Sequence, residues 1–96
     1  MGQVTTLINA VKCCESLNQA DTIYAKEPWT EQSMVLVAAE PPSGGLPENV
    51  EDLGLQYFLE VSVANEFLTD WCQSLEREPT LEEKCRRLIL YAINDA

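Results

Sequence analysis

The chain has no histidine, and only 6 of its 96 residues are lysine or arginine. Without imidazole, the commonest general base and the commonest metal ligand are both missing, so a histidine-based triad or zinc site has nothing to be built from. Serines are present, but no histidine or nearby lysine stands ready to activate one. Glycine is scarce, 4 in all. Gly44-Gly45 lies in a proline-rich stretch and not between a strand and a helix, which excludes a phosphate loop or a dinucleotide fingerprint. The longest apolar runs, Met34 to Ala39 and Leu88 to Ile93, are too short to span a bilayer. The N-terminus also lacks the basic and apolar regions of a secretory signal. Together these absences point to a cytoplasmic, non-enzymatic chain that needs no cofactor.

Cysteine is present but not in a pattern that carries chemistry. Cys13, Cys14, Cys72 and Cys85 include an adjacent pair that cannot easily bridge internally, and no C-x-x-C spacing exists. A zinc site would need all four thiolates or a mixture with carboxylates. The simpler reading makes Cys72 and Cys85, with Cys13 or Cys14, small buried apolar residues on helices, with a cysteine-based metal or redox function as the rival. Met1-Gly2 with Thr6 fits the loose myristoylation pattern. Stable anchoring by one acyl chain also requires a basic patch that this chain lacks, so the small second residue reads as permitting removal of the initiator Met.

What the sequence has in quantity is acid. The formal net charge is −10, and all of it lies between Glu15 and Asp70, where eleven carboxylates face the single cation Lys26. The segments on either side nearly cancel. A field of that sign repels nucleic acid and anionic membrane and accelerates encounter with basic partners. With 46% hydrophobic residues and 7% aromatic, the chain has enough apolar material for one core, and residues 1–96 read as a single domain.

Periodicity predicts the order α-β-β-(short α)-β-α-α. Thr5 or Thr6 caps a first helix running to about Leu17, with Leu7, Ile8, Val11 and Cys14 on one face. Thr22 to Glu27 and Ser33 to Glu40 are strands joined through Pro28-Trp29-Thr30-Glu31-Gln32. The continuous apolar run in the second marks a central strand covered on both faces. Pro41-Pro42-Ser43-Gly44-Gly45 is a loop, and a helical turn from Pro47 to Leu53 stops at Gly54. Gln56 to Val61 is a third strand, with Tyr57, Leu59 and Val61 alternating against Gln56, Phe58 and Glu60. Ser62 caps a helix striped by Val63, Phe67, Leu68, Trp71 and Leu75. Thr80 and Glu83 form a capping box for a last helix whose Leu81, Cys85, Leu88, Ile89 and Ala92 face inward. The expected fold is α+β: a small, mainly antiparallel three-stranded sheet packed by about three helices. Whether the third strand pairs parallel or antiparallel stays open.

The candidate contacts with a partner are carboxylates around an aromatic anchor. Trp29 sits between Glu27 and Glu31. Glu48, Glu51 and Asp52 concentrate acid on the short helix, and Glu66 and Asp70 form a rim. An aromatic residue ringed by carboxylates suits a Lys/Arg-rich protein surface. The plainer alternative has Trp29 closing one end of the core while the acids keep the chain soluble. Glu66 and Asp70, four apart on one helix, also have the spacing to share a cation, but such pairs are commonly plain solvated charge. Arg77, Lys84, Arg86 and Arg87 read as local partners of Glu82 and Glu83 on a solvated face. Leu88 to Ile93 is apolar almost all round. That implies central burial or a homodimer contact through Leu90 and Tyr91.

Thr22-Ile23-Tyr24-Ala25 with Glu27-Pro28-Trp29, and Gly54 through Val61, resemble stretches of a family of small acidic bacterial and phage α+β proteins known only as a domain of unknown function. The resemblance covers about the middle half of the chain and implies a bacterial or phage cytoplasmic setting. Small acidic proteins there are often immunity proteins or inhibitors, an analogy of class that transfers no residue. The sequence reading is therefore an acidic interaction module for a basic protein, of inhibitor, immunity or nucleic-acid-mimic type. Its alternative is a structural or regulatory subunit that oligomerises through the last helix.

Overall fold

The computed structural model describes residues 3–39, 50 and 53–95. Four strands form one sheet: β1 (Gln3–Thr6), β2 (Thr22–Ala25), β3 (Met34–Ala38) and β4 (Gln56–Glu60). Their spatial order is β1-β3-β2-β4, and every neighbouring pair is antiparallel. Outside residues 40–53, the helices among the described residues are α1 (Leu7–Lys12), α2 (Val61–Ser74) and α3 (Leu81–Asp95), with a 3-10 turn at Cys14–Ser16. The class is α+β as expected.

The three-stranded sheet is corrected to four strands, and the order now starts with β1. Gln3-Val4-Thr5-Thr6 is extended because Val4 lies opposite Leu36 and Thr6 opposite Met34 on β3. β-branched residues suit that pleated edge. Thr6 still caps α1: the Asn9 N–H donates to Thr6 Oγ1 at 3.4 Å. The helix ends at Lys12, well short of Leu17. The third strand of the sequence reading is β4, and its open orientation resolves as antiparallel to β2.

β3 is the central strand that its apolar run implied. Val35 is buried against the helices, and Leu36 is buried on the opposite face beneath Val50 and Leu55. The main core lies on the helical side, where Ile23, Ala25, Val35, Phe58 and Leu59 meet Leu7, Ala10, Val61, Ala64, Leu88 and Ala92. The alternation expected for β4 is broken. Ile23 pairs with Leu59 but Tyr24 with Tyr57, so a bulge inserts Phe58 as an extra residue. Phe58 and Leu59 are consequently both buried while Tyr57 is 49% exposed.

Two helix starts differ in cause. α2 begins directly off β4 with Glu60 as N-cap, so Ser62 lies inside the helix and does not cap it. The first helical donor, Val61 N–H, is satisfied instead by Asp21 O at 3.0 Å. α3 has the expected capping box: Thr80 N–H donates to Glu83 Oε1 at 2.9 Å, and Glu83 N–H to Thr80 Oγ1 at 3.2 Å. Gly54 adopts φ +71°, the left-handed stop expected there. The helical turn expected from Pro47 lies outside the described residues, except at Val50 and Leu53. No helix among the described residues is long and apolar enough to cross a membrane.

Candidate interaction site

The β2–β3 connection carries Glu27, Trp29 and Glu31, and its hydrogen bonds hold it from several sides. Ser33 Oγ accepts from Thr30 N–H at 2.8 Å and donates to Pro28 O at 3.0 Å. The Glu27–Pro28 peptide is cis. At the start of α1, Leu7 N–H donates to Ser33 O at 2.8 Å and Ile8 N–H to Glu31 O at 2.9 Å. These are two of the donors that a helix N-terminus leaves without intrahelical partners. The turn thus caps α1 through its main chain.

Trp29 faces inward from this turn. Its ring meets Phe58 edge-on, centroids 4.9 Å apart at 86°, a favoured aromatic geometry. Its indole N–H donates to Ala25 O at 3.3 Å. Half-buried against the main core, it has the geometry of the core-closing alternative. Glu31 is engaged as well: Arg86 Nε, from α3, donates to its Oε1 at 2.8 Å. Glu27 is exposed and makes no ion pair among the described residues. Glu48, Glu51 and Asp52 lie outside the described residues.

Glu66 and Asp70 occupy a different place, on the outer face of α2. With Val63, Phe67 and Tyr91 they line a depression of about 390 Å³. Phe67 and Tyr91 stack at 4.2 Å and 20°, joining α2 to α3. On the α3 side of the stack, Arg87, Leu90 and Asn94 complete a second depression of about 170 Å³ with the same two rings. Leu90 is 49% exposed and Ile93 57% exposed. The apolar run of α3 is therefore buried on one side only.

The ion pairs around α3 differ from the local ones expected. Arg77 makes a bidentate pair with Glu83, Nη1 and Nη2 each donating to one carboxylate oxygen, at 2.9 and 2.6 Å. Lys84 reaches Glu78 at 3.3 Å, and Arg86 reaches Glu31. None is an i,i+3 or i,i+4 pair, because each crosses the turn before α3 or the gap to the β2–β3 connection. The pairing with Arg77, then the Thr80 N–H bond, holds the Glu83 carboxyl at about 2, well below its usual 4.5.

Two of the four cysteines, Cys14 and Cys85, are poor nucleophiles. Burial, with a smaller push from Glu15, raises the Cys14 thiol to about 11. Burial also raises Cys85 to about 11, with Glu31 adding and Arg86 opposing. Both stay protonated near neutrality, when the thiolate is the reactive form. Cys13 is exposed, Cys72 half-buried, and all four are free. Cys14 and Cys72 line a polar cavity of about 340 Å³ with Lys12, Asn65, Glu78 and Lys84. Among the described residues no group of three or more cysteine or acidic side chains is placed to hold a metal ion.

Sequence reasoning missed the Phe67–Tyr91 stack and its flanking residues as a single surface. The usable signal was α2's stripe, together with an α3 run more apolar than one buried face needs. Compared with known proteins, the chain matches no family model, no curated protein sequence and no solved structure.

Proposed function

We propose that this chain is a non-enzymatic acidic module that docks a basic protein surface, in the manner of an inhibitor, an immunity protein or a nucleic-acid mimic. The observation that carries the reading is how charge is distributed over its partners. Arg77, Lys84 and Arg86 are each held by a carboxylate. Glu15, Glu27, Glu60, Glu66 and Asp70 are exposed and make no ion pair among the described residues. The acid-rich segment thus presents uncompensated negative charge, which speeds encounter with a cationic surface and sets its register.

Glu27, Glu48, Glu51 and Asp52 are the contacts on this reading. Glu31 serves mainly to hold the turn to α3, and Trp29 to fill the core beside Phe58. The low nucleophilicity of the two buried thiols and the absence of histidine favour binding over catalysis. A bacterial or phage cytoplasm is the proposed setting. Affinity capture from a bacterial lysate at low and at moderate salt tests the reading, with Glu48→Lys/Glu51→Lys/Asp52→Lys as the control bait. A basic protein retained by the wild type, weakened by salt and lost from the control supports it. Identical retention by both baits overturns it.

A further inference from the structure

The α2–α3 outer face is built from residues other than Glu27, Glu48, Glu51 and Asp52, and its inference does not depend on those four. Across the Phe67–Tyr91 stack the surface changes character. On the α2 side the depression is lined by Val63, Phe67 and Tyr91 together with the exposed carboxylates Glu66 and Asp70. On the α3 side stand Arg87 and the exposed Leu90, with Ile93 three residues further along the same helix surface. One side offers a depression flanked by carboxylates, and the other offers the half-exposed Leu90 beside a cation.

We propose that this face binds a second copy of the same chain, forming a two-fold symmetric dimer. A two-fold axis running along the groove between α2 and α3 turns the α3 side of one copy onto the α2 side of the other. Leu90 then enters the partner copy's Val63–Phe67–Tyr91 depression, and Arg87, one turn earlier, meets the Glu66–Asp70 rim. The exchange occurs twice, once on each side of the axis.

Charge complementarity selects this occupant. Arg87 is exposed and makes no ion pair among the described residues, and the same holds for Glu66 and Asp70. The two carboxylates, four apart on one helix, repel each other, and a guanidinium between them relieves that repulsion. The surrounding charge also permits the contact. On each side of the axis the contact sets the Arg87 cation of one copy against the Glu66 and Asp70 carboxylates of the other, which offsets part of the repulsion between two acidic chains. A basic partner, by contrast, would be opposed by Arg87 on the α3 half of this surface.

Sedimentation equilibrium of the full chain, from micromolar to about 1 mM, tests the proposal, the upper limit corresponding to the weakest dimer worth the name. The wild type is expected to dimerise. Leu90→Asp is expected to raise the dimer dissociation constant about thirtyfold or more, because charge replaces the anchor. Arg87→Glu weakens the dimer less, and combining it with Glu66→Arg/Asp70→Arg restores association by swapping the two halves of the ion pair. Circular dichroism verifies that Leu90→Asp is folded. If it is not, the Arg87→Glu loss and its charge-swap rescue decide. A wild type that stays monomeric throughout overturns the proposal. So does a dimer that folded Leu90→Asp leaves intact, or, if Leu90→Asp does not fold, one that Arg87→Glu does not weaken or whose Arg87→Glu loss the charge swap does not rescue.

Discussion

From Glu15 to Asp70 the exposed carboxylates Glu15, Glu27, Glu60, Glu66 and Asp70 make no ion pair among the described residues, whereas in the helical region beyond it Arg77, Lys84 and Arg86 each hold a carboxylate within 3.3 Å. The first region stores repulsion that only solvent ions or a partner relieve. The second spends Arg77 and Lys84 on holding itself together, Arg86 extends that grip to Glu31 in the first, and Arg87 is left exposed. A single net charge of −10 therefore conceals two different electrostatic designs. The two proposed contacts draw on these regions unequally: the basic partner's rests on Glu27 and its acidic neighbours in the first, whereas the dimer's takes Glu66 and Asp70 from the first and Arg87 and Leu90 from the second.

The most damaging change expected lies where the acidic segment's turn joins the core. Phe58→Ala should cost about 3–5 kcal/mol in urea unfolding, as for other fully buried aromatics. Trp29→Ala, removing a partly exposed ring, should cost about 2 kcal/mol. If Trp29→Ala leaves stability unchanged but weakens partner capture, Trp29 belongs to the interaction face and the comparison must be redrawn.

Salt offers a direct contest between the two regions. Screening weakens the repulsion among unpaired carboxylates and also the exposed ion pairs, but isolated surface pairs contribute little. The melting temperature should thus rise by about 4–8 °C between low and moderate ionic strength, equivalent to about 1 kcal/mol in a domain of this length. A fall would mean that the ion pairs around α3 outweigh the stored repulsion.

The smallest effect expected belongs to Glu83. Its folded-state carboxyl lies at about 2, below the usual 4.5, so its stabilising contribution is present above about 4.5 and fades as pH falls toward 2. In Glu83→Gln the loss of stability across that window should be shallower than in the wild type, as read from melting temperature against pH. Identical curves would show that the Arg77–Glu83 pair contributes nothing, which narrows the contrast to the acidic segment alone.

Much of the fold is legible in short-range pattern. The β2–β3 pairing follows from two apolar runs around a turn, the α3 cap from Thr80 and Glu83, and the stop at Gly54 from its lack of a Cβ. What escaped the sequence reading depends on partners far along the chain. Gln3–Thr6 is too short to declare itself a strand until β3 lies beside it. Phe58 turns inward only because β2 pairs around it, and period-two alternation contains no sign of a bulge. The Arg86–Glu31 pair escaped for the same reason, whereas Arg77–Glu83 and Lys84–Glu78 escaped because the turn before α3 lets residues six apart meet, which rules for i,i+3 and i,i+4 neighbours do not cover. The candidate site divides likewise: the abundance of acid and the core-closing alternative for Trp29 were visible, but the bond from Arg86 to Glu31 was not.

The sequence by itself determined the polarity of the molecule, the α+β class, the central position of β3 and the inward face of α3. These depend on residue type and local period, which the chain carries wherever it goes. Only the tertiary structure decided that Trp29 packs on Phe58, that Arg86 holds Glu31, and that Glu66, Phe67, Asp70, Tyr91 and Leu90 share one surface. Those are meetings between segments tens of residues apart, and burying the common core is what brings them together.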